Sequence, residues 1–379
     1  MTATRSGAAS RIVSLGSVAI DMSLHDEAAR LLDPLQSADQ LRRMAGAWLE
    51  AAGFGPLETP ARLVHAEPGF ELLGYAEPDH AGRVILLVPA PIKRAYIWDL
   101  APAVSVVRRC LERDLRVYLL RWTEPAEIVR DFGLAQYADT LIAHAAAAIA
   151  AETGEQRLVL AGHSLGGTLA AIFAARRPER VRGLVLLESP LRFGASGAGA
   201  FAPLIAAAPS ACCITDVFDL VPGSLLSVAA AIAAPDAFVW PRWIDRLTSV
   251  ADPERLALHY RVERWTLDEL SMTGRLFEDV VDLLYREDCF MRRRLTLGGG
   301  EARPDRVTAP MLAVVDPGSR VVPPLSTLSF FETVSSSDKT LLQHQGDRDV
   351  SLRHVGVLVG RTAHQRLWPR IVDWVARRQ

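Results

Sequence analysis

Two hydrophobic patterns follow one another along the chain. Over 24–52 the apolar residues Ala28, Leu31, Leu32, Leu35, Leu41, Met44 and Trp48 recur every three or four positions, the period of one helix face, and Gly53 and Gly55 end the pattern. After Pro60 the pattern changes to short apolar runs. Residues 70–75 and 83–88 read as strands, the second an unbroken run closed by Pro89, as expected of a strand buried on both faces. Helices and strands then alternate: a helix over 105–113, a strand over 116–120, an Ala-rich helix over 137–151, a strand over 157–161, a helix over 168–176 and a strand over 183–187. This alternation predicts βαβ units in a doubly wound, mostly parallel sheet. It stops between about 190 and 297, in a helix-like stretch carrying Trp240, Trp243 and Trp265, and resumes with a strand over 310–315 and a final helix over 364–378.

Composition narrows the function classes. The chain has 379 residues, of which 50% are hydrophobic and 23% charged, with a formal net charge of -2; it can bury a large core and carries no excess of basic charge for nucleic acid. Cys110, Cys212, Cys213 and Cys289 lack metal-ligand spacing, so no metal and no cofactor is expected, and adjacent Cys212 and Cys213 do not suggest a disulfide framework. The apolar stretch 12–20 is broken by Ser14, Gly16 and Ser17, and no apolar run is long enough to span a bilayer. A cytoplasmic chain with a small-molecule partner is expected, and a homo-oligomer is left open.

The chemistry is concentrated in Gly162-His163-Ser164-Leu165-Gly166-Gly167, which follows one predicted strand and opens the next helix. That is the setting of a G-x-S-x-G nucleophile elbow, where glycines admit a turn tight enough to lift the serine hydroxyl above the sheet. The expected fold is therefore an α/β-hydrolase fold with a helical insertion. Its divisions are a helical segment 1–58, a core of 59–190 and 298–379, and a lid over 191–297. The Leu165 N–H, at the helix start, would face a developing oxyanion. A second donor would come from the loop after 83–88, where Pro91 has no N–H and Ala90 or Ile92 must serve. Serine needs a base, which this fold takes from a histidine near the C-terminus; His354 is favoured over His344, which lies in a more strand-like setting. His163 is expected to pack or to face the lid.

Several segments together resemble the polyhydroxyalkanoate synthases, especially the shorter kind that works with a second subunit. They are 59–65 (TPARLVH), 88–100 (VPAPIKRAYIWDL), 105–109, 117–119, the elbow, 322–324 (VPP), 354–357 (HVGV) and 367–370 (LWPR), in the family's order. The resemblance implies hydroxyacyl thioesters of coenzyme A as donors. It also implies cysteine in the elbow, where this chain has Ser164, and an Asp at the position occupied by Ser319. Two carboxylates could replace that acid: Glu188, after strand 183–187, as in product-releasing thioesterase domains, or Asp316, three residues before Ser319.

Acyl transfer through an ester on Ser164 is the leading expectation, with a thioester of coenzyme A or of an acyl carrier protein, or an ester, as donor. The enzyme would be an acyltransferase, thioesterase or esterase; a polymerase, or a silent binding subunit, is the alternative. Val217, Phe218, Leu220, Phe238 and Trp240 are candidates to line an acyl tunnel, and Arg292-Arg293-Arg294 to meet phosphates.

Overall fold

The computed structural model describes residues 37–77, 80–208, 210–347 and 353–378. Eight strands form one sheet: β1 (Arg62–Glu67), β2 (Phe70–Gly74), β3 (Val84–Val88), β4 (Arg116–Trp122), β5 (Leu158–His163), β6 (Val181–Leu187), β7 (Met311–Val315) and β8 (Lys339–Gln343). Their order is β1-β2-β4-β3-β5-β6-β7-β8, with β2 antiparallel to β1 and β4 and the other pairs parallel. This is the α/β-hydrolase fold.

The continuous apolar runs are explained by burial on both sides. In β3, Leu86 and Val88 face one core with Leu160 of β5 and Leu184 of β6, while Ile85 and Leu87 face the other with Val159 and Val185. Each strand supplies alternate residues to two cores, so no polar position interrupts it. Helices α1 (Leu141–Thr153) and α2 (Leu165–Arg176) fill the first core, and Trp368 and Trp374 of the C-terminal helical segment fill the second.

Four sequence expectations need correction. Strand 157–161 runs on to His163, and the helix expected from 168 starts at Leu165, so the elbow turn is a single residue wide. No strand was expected at β1, and at β8 only a strand-like setting before His344; both are edge strands with at most one buried residue, so neither shows an apolar run. Of the first helix, 24–36 lie outside the described residues. Over 37–49 it forms, and it ends in a turn where Gly53 takes φ 89°. Its predicted core face is outside, however: Leu41, Met44 and Trp48 are exposed, and the helix docks by Arg42 on Glu269 and by close approach of Gly46 to Arg264.

Between β6 and β7 the chain leaves the sheet and forms mainly helices, among them Gly223–Ala233, Trp240–Ser249 and Pro253–Thr266. Trp240 is 64% exposed and lines no enclosed tunnel, and Phe238 packs on the second core. Among the described residues no single helix is long and apolar enough to cross a membrane.

Candidate active site

The parallel strands deliver four polar residues to one edge of the sheet. Ser164 follows β5, Glu188 follows β6, Asp316 follows β7, and His354 lies in the turn Arg353–Val355 beyond β8. The register sets their heights: Ser164 N–H donates to Leu187 O at 3.1 Å and Glu188 N–H to Val314 O at 2.9 Å, so each strand end is held by its neighbour. In open α/β sheets this carboxyl edge is where ligands bind.

Ser164 is half-buried and has φ 53° and ψ -132°, a backbone state that costs a residue with a β-carbon on the order of 1–3 kcal/mol. The surrounding glycines are forced by contact. A β-carbon on Gly162 would lie 2.5 Å from Gly167 Cα, and one on Gly166 would lie 2.2 Å from Val88 O. On Gly167 it would meet Ser189 Oγ at 1.8 Å. The elbow is thus pressed simultaneously on its own helix, on the end of β3 and on the end of β6. Leu165 opens α2, so its N–H has no acceptor within the helix. The loop after β3 is tied at its far end: Leu270 N–H donates to Ile92 O, and the Lys93 ammonium bonds Glu269 at 2.5 Å and Thr266 O at 2.7 Å.

The two carboxylates have different partners. Glu188 is buried, has φ 43°, and places Oε2 3.2 Å from His354 Nδ1. Ser164 and Glu188 are two of the five non-glycine residues with positive φ among the described residues, so this edge carries two strained backbone positions. Asp316 is also buried, but its Oδ1 accepts from Gly318 N–H at 2.8 Å and its Oδ2 faces Arg353 at 3.3 Å. Ser319, in the acid's expected place, accepts from Val322 N–H and stays in its own loop.

Burial governs the electrostatics. It pulls the His354 imidazole down to about 4, against the opposing pull of the Asp316 charge. Glu188 is pushed well above the usual carboxylate range, by burial first and then by Asp316. Both directions favour neutral groups, as desolvation does. The outer nitrogen of His354, Nε2, is buried with no hydrogen-bond partner, as is Glu188 Oε1. Nδ1 is engaged by Glu188, so Nε2 is the ring atom available to a substrate or to a nucleophile.

His344 sits directly after β8, bonded through its N–H to Val315 O, with no bond to Glu188. His163 does not face outward. It is buried, its Nε2–H donates to the backbone oxygen of His354 at 2.8 Å, and its ring lies 4.6 Å from that of His354. Neither this contact nor the Asp316–Arg353 pair was anticipated from sequence; both join residues remote in the chain.

The alpha/beta hydrolase fold family matches residues 123–202, a span that includes the elbow. The Poly(3-hydroxyalkanoate) polymerase subunit PhaC of Haloferax mediterranei is 28% identical over 325 residues, covering 85% of this chain and 64% of that one. The subunit of the same name from Allochromatium vinosum is 24% identical over 327 residues, 84% of this chain and 89% of its own. The chain has the α/β-hydrolase fold and is similar over most of its length to these polymerase subunits. The synthase-like chain thus spans just under two thirds of the Haloferax protein's length. Among solved structures, a candidate lipase from Sulfolobus solfataricus superposes with a TM-score of 0.50 at 13% identity, over 84% of this chain and 99% of the other, a likeness of fold.

Proposed function

We propose that this synthase-like chain transfers 3-hydroxyacyl groups from a coenzyme A thioester by way of an ester on Ser164, with the hydroxyl of another hydroxyacyl unit as acceptor. The observation that carries the proposal is the His354–Glu188 pair at the same sheet edge as a serine held at φ 53°, in a chain whose relatives over 85% of its length are named as poly(3-hydroxyalkanoate) polymerase subunits. Those relatives favour a polymerising acceptor over water.

In the first step His354 Nε2 takes the Ser164 Oγ proton as Oγ attacks the thioester carbonyl. Glu188 holds the Nδ1–H tautomer and stabilises the imidazolium. The oxyanion is met by Leu165 N–H and by the amide of Ala90, next in the chain to the Pro89 backbone against which Gly166 packs; Ile92 is the alternative donor. The C–S bond breaks and the thiolate leaves as the thiol, with the proton from Nε2. In the second step His354 removes the proton of the acceptor hydroxyl, which attacks the acyl-serine. Collapse returns that proton to Ser164 Oγ and releases a chain longer by one unit. If the acceptor is itself a thioester, the product can acylate Ser164 again.

A second reading has one observation in its favour. The resemblance to the synthases implies cysteine in the elbow, and the hydroxyl of Ser164 suits hydrolysis or a single transfer, as in a thioesterase or esterase, with a carrier-protein thioester as another donor. Incubation with 3-hydroxybutyryl-CoA separates the two. Thiol release with oligomeric 3-hydroxybutyrate in wild type, lost in Ser164→Ala, supports polymerising transfer. Thiol release with free 3-hydroxybutyrate alone supports hydrolysis, and no thiol release contradicts both.

A further inference from the structure

We infer that His163 is a positioning residue for His354, and that its Nε2–H fixes the backbone from which the base projects. The inference rests on the reading of Ser164 and His354 as nucleophile and base, and adds a residue outside that pair and its acid.

A carbonyl can only accept, so the 2.8 Å contact from His163 Nε2 to His354 O requires that Nε2 carry the hydrogen. His163 is the last residue of β5, in the central part of the sheet, and immediately precedes Ser164. His354 belongs to a turn beyond the edge strand β8. The bond therefore spans 191 positions of sequence and ties the base to the strand that carries the nucleophile. The rings face each other at 4.6 Å and 36°, so His163 also forms one wall against which the imidazole of His354 rests. With Glu188 on Nδ1, the base is held at its side chain, its backbone and one ring face. Among the described residues the turn is also tied through Arg353, to Asp316 at 3.3 Å and to Gln345 O at 3.0 Å, with a guanidinium that is about half exposed.

The donor must stay neutral for this geometry to serve catalysis, because a cation stacked on His354 would oppose the imidazolium formed during reaction. Burial, and next the neighbouring His354, hold His163 well below the usual histidine range, while the bond to the carbonyl opposes them. The other charged groups here bond within the His354 turn rather than to His163: Glu188 to the His354 ring, and Asp316 to Arg353.

The test compares fluorophosphonate labelling rates of wild type, His163→Phe and His163→Gln, with Ser164→Ala as control and melting temperature alongside. Loss of one positioning bond should slow His163→Phe at least about tenfold, the cost of one net hydrogen bond. The side-chain amide of His163→Gln can donate to the same carbonyl and should recover most of the rate. With p-nitrophenyl acetate the loss should fall on kcat and leave KM within about twofold. Labelling of His163→Phe at the wild-type rate overturns the inference. So does a His163→Gln protein that melts like wild type yet labels as slowly as His163→Phe, or a loss confined to KM. If His163→Phe fails to fold, the His163→Gln rate decides: near wild type supports the inference, and a tenfold loss overturns it. Wild-type labelling that persists in Ser164→Ala would instead refute the underlying reading.

Discussion

Glu188 and Asp316 stand one strand apart, both buried, and the bonds they make separate their proposed roles. Glu188 faces His354 Nδ1 directly, whereas Asp316 reaches the same turn only through Arg353. Glu188→Gln should lower kcat on p-nitrophenyl acetate by roughly 10³–10⁴, the loss expected when the base is held in the wrong tautomer. Asp316→Asn should cost only about tenfold, since it loosens a turn without touching the imidazole. Equal losses in the two variants would mean that the acid has been misassigned. The pH dependence has a definite sign. The base works unprotonated, and burial lowers His354 to about 4, so labelling of the free enzyme should persist as pH falls through 6.5 and reach half its maximum well below it. A midpoint at or above 6.5 would contradict a buried base. At this scale the sequence exposed Ser164 clearly, because three glycines and a strand-to-helix change all mark one turn. It left Glu188 and Asp316 open, because the choice depends on which carboxylate points at a ring 38 or more residues away in the chain.

Among the elements, the elbow is the least tolerant. Gly166→Ala would place a methyl 2.2 Å from Val88 O and 2.5 Å from the Pro89 carbonyl carbon, both backbone atoms that cannot rotate away. Destabilisation of at least about 2 kcal/mol is expected, read as a lower urea midpoint, and a variant as stable as wild type would show that the turn can relax. Gly154→Ala makes a contrast: its β-carbon meets nothing within 4 Å, so only the φ of 78° opposes it and the loss should be smaller. The same physics decided which elements could be read in advance. The central strands β3, β5, β6 and β7 are buried on both faces and announce themselves as apolar runs, whereas β1 and β8 lie at the edges, mostly in contact with solvent, and leave no such trace. The helix over 37–49 shows the opposite failure, since a helical period was present but the packed side is set by Arg42 and Gly46 rather than by the apolar stripe.

Over the whole molecule, Glu269 joins three parts of the chain. Its carboxylate, 5% exposed, receives Arg42 from the first helix, Lys93 from the loop after β3 and Ser227 from the segment between β6 and β7. Burial lowers the Lys93 ammonium to about 8 despite the attraction of Glu269, so removing the carboxylate would leave a poorly solvated cation. Glu269→Ala should lower the unfolding free energy by about 3 kcal/mol in urea titration, and a change below about 1 kcal/mol would make this junction incidental. The proposed activity depends on that frame only because it brings Ser164, His354 and Glu188 to one edge of the sheet. The most direct test is intact-mass and peptide mapping after treatment with a fluorophosphonate. One adduct should form, located on the peptide containing Ser164, and should be absent in Ser164→Ala and strongly slowed in His354→Ala. An adduct that survives Ser164→Ala, or forms in His354→Ala at the wild-type rate, would contradict the account.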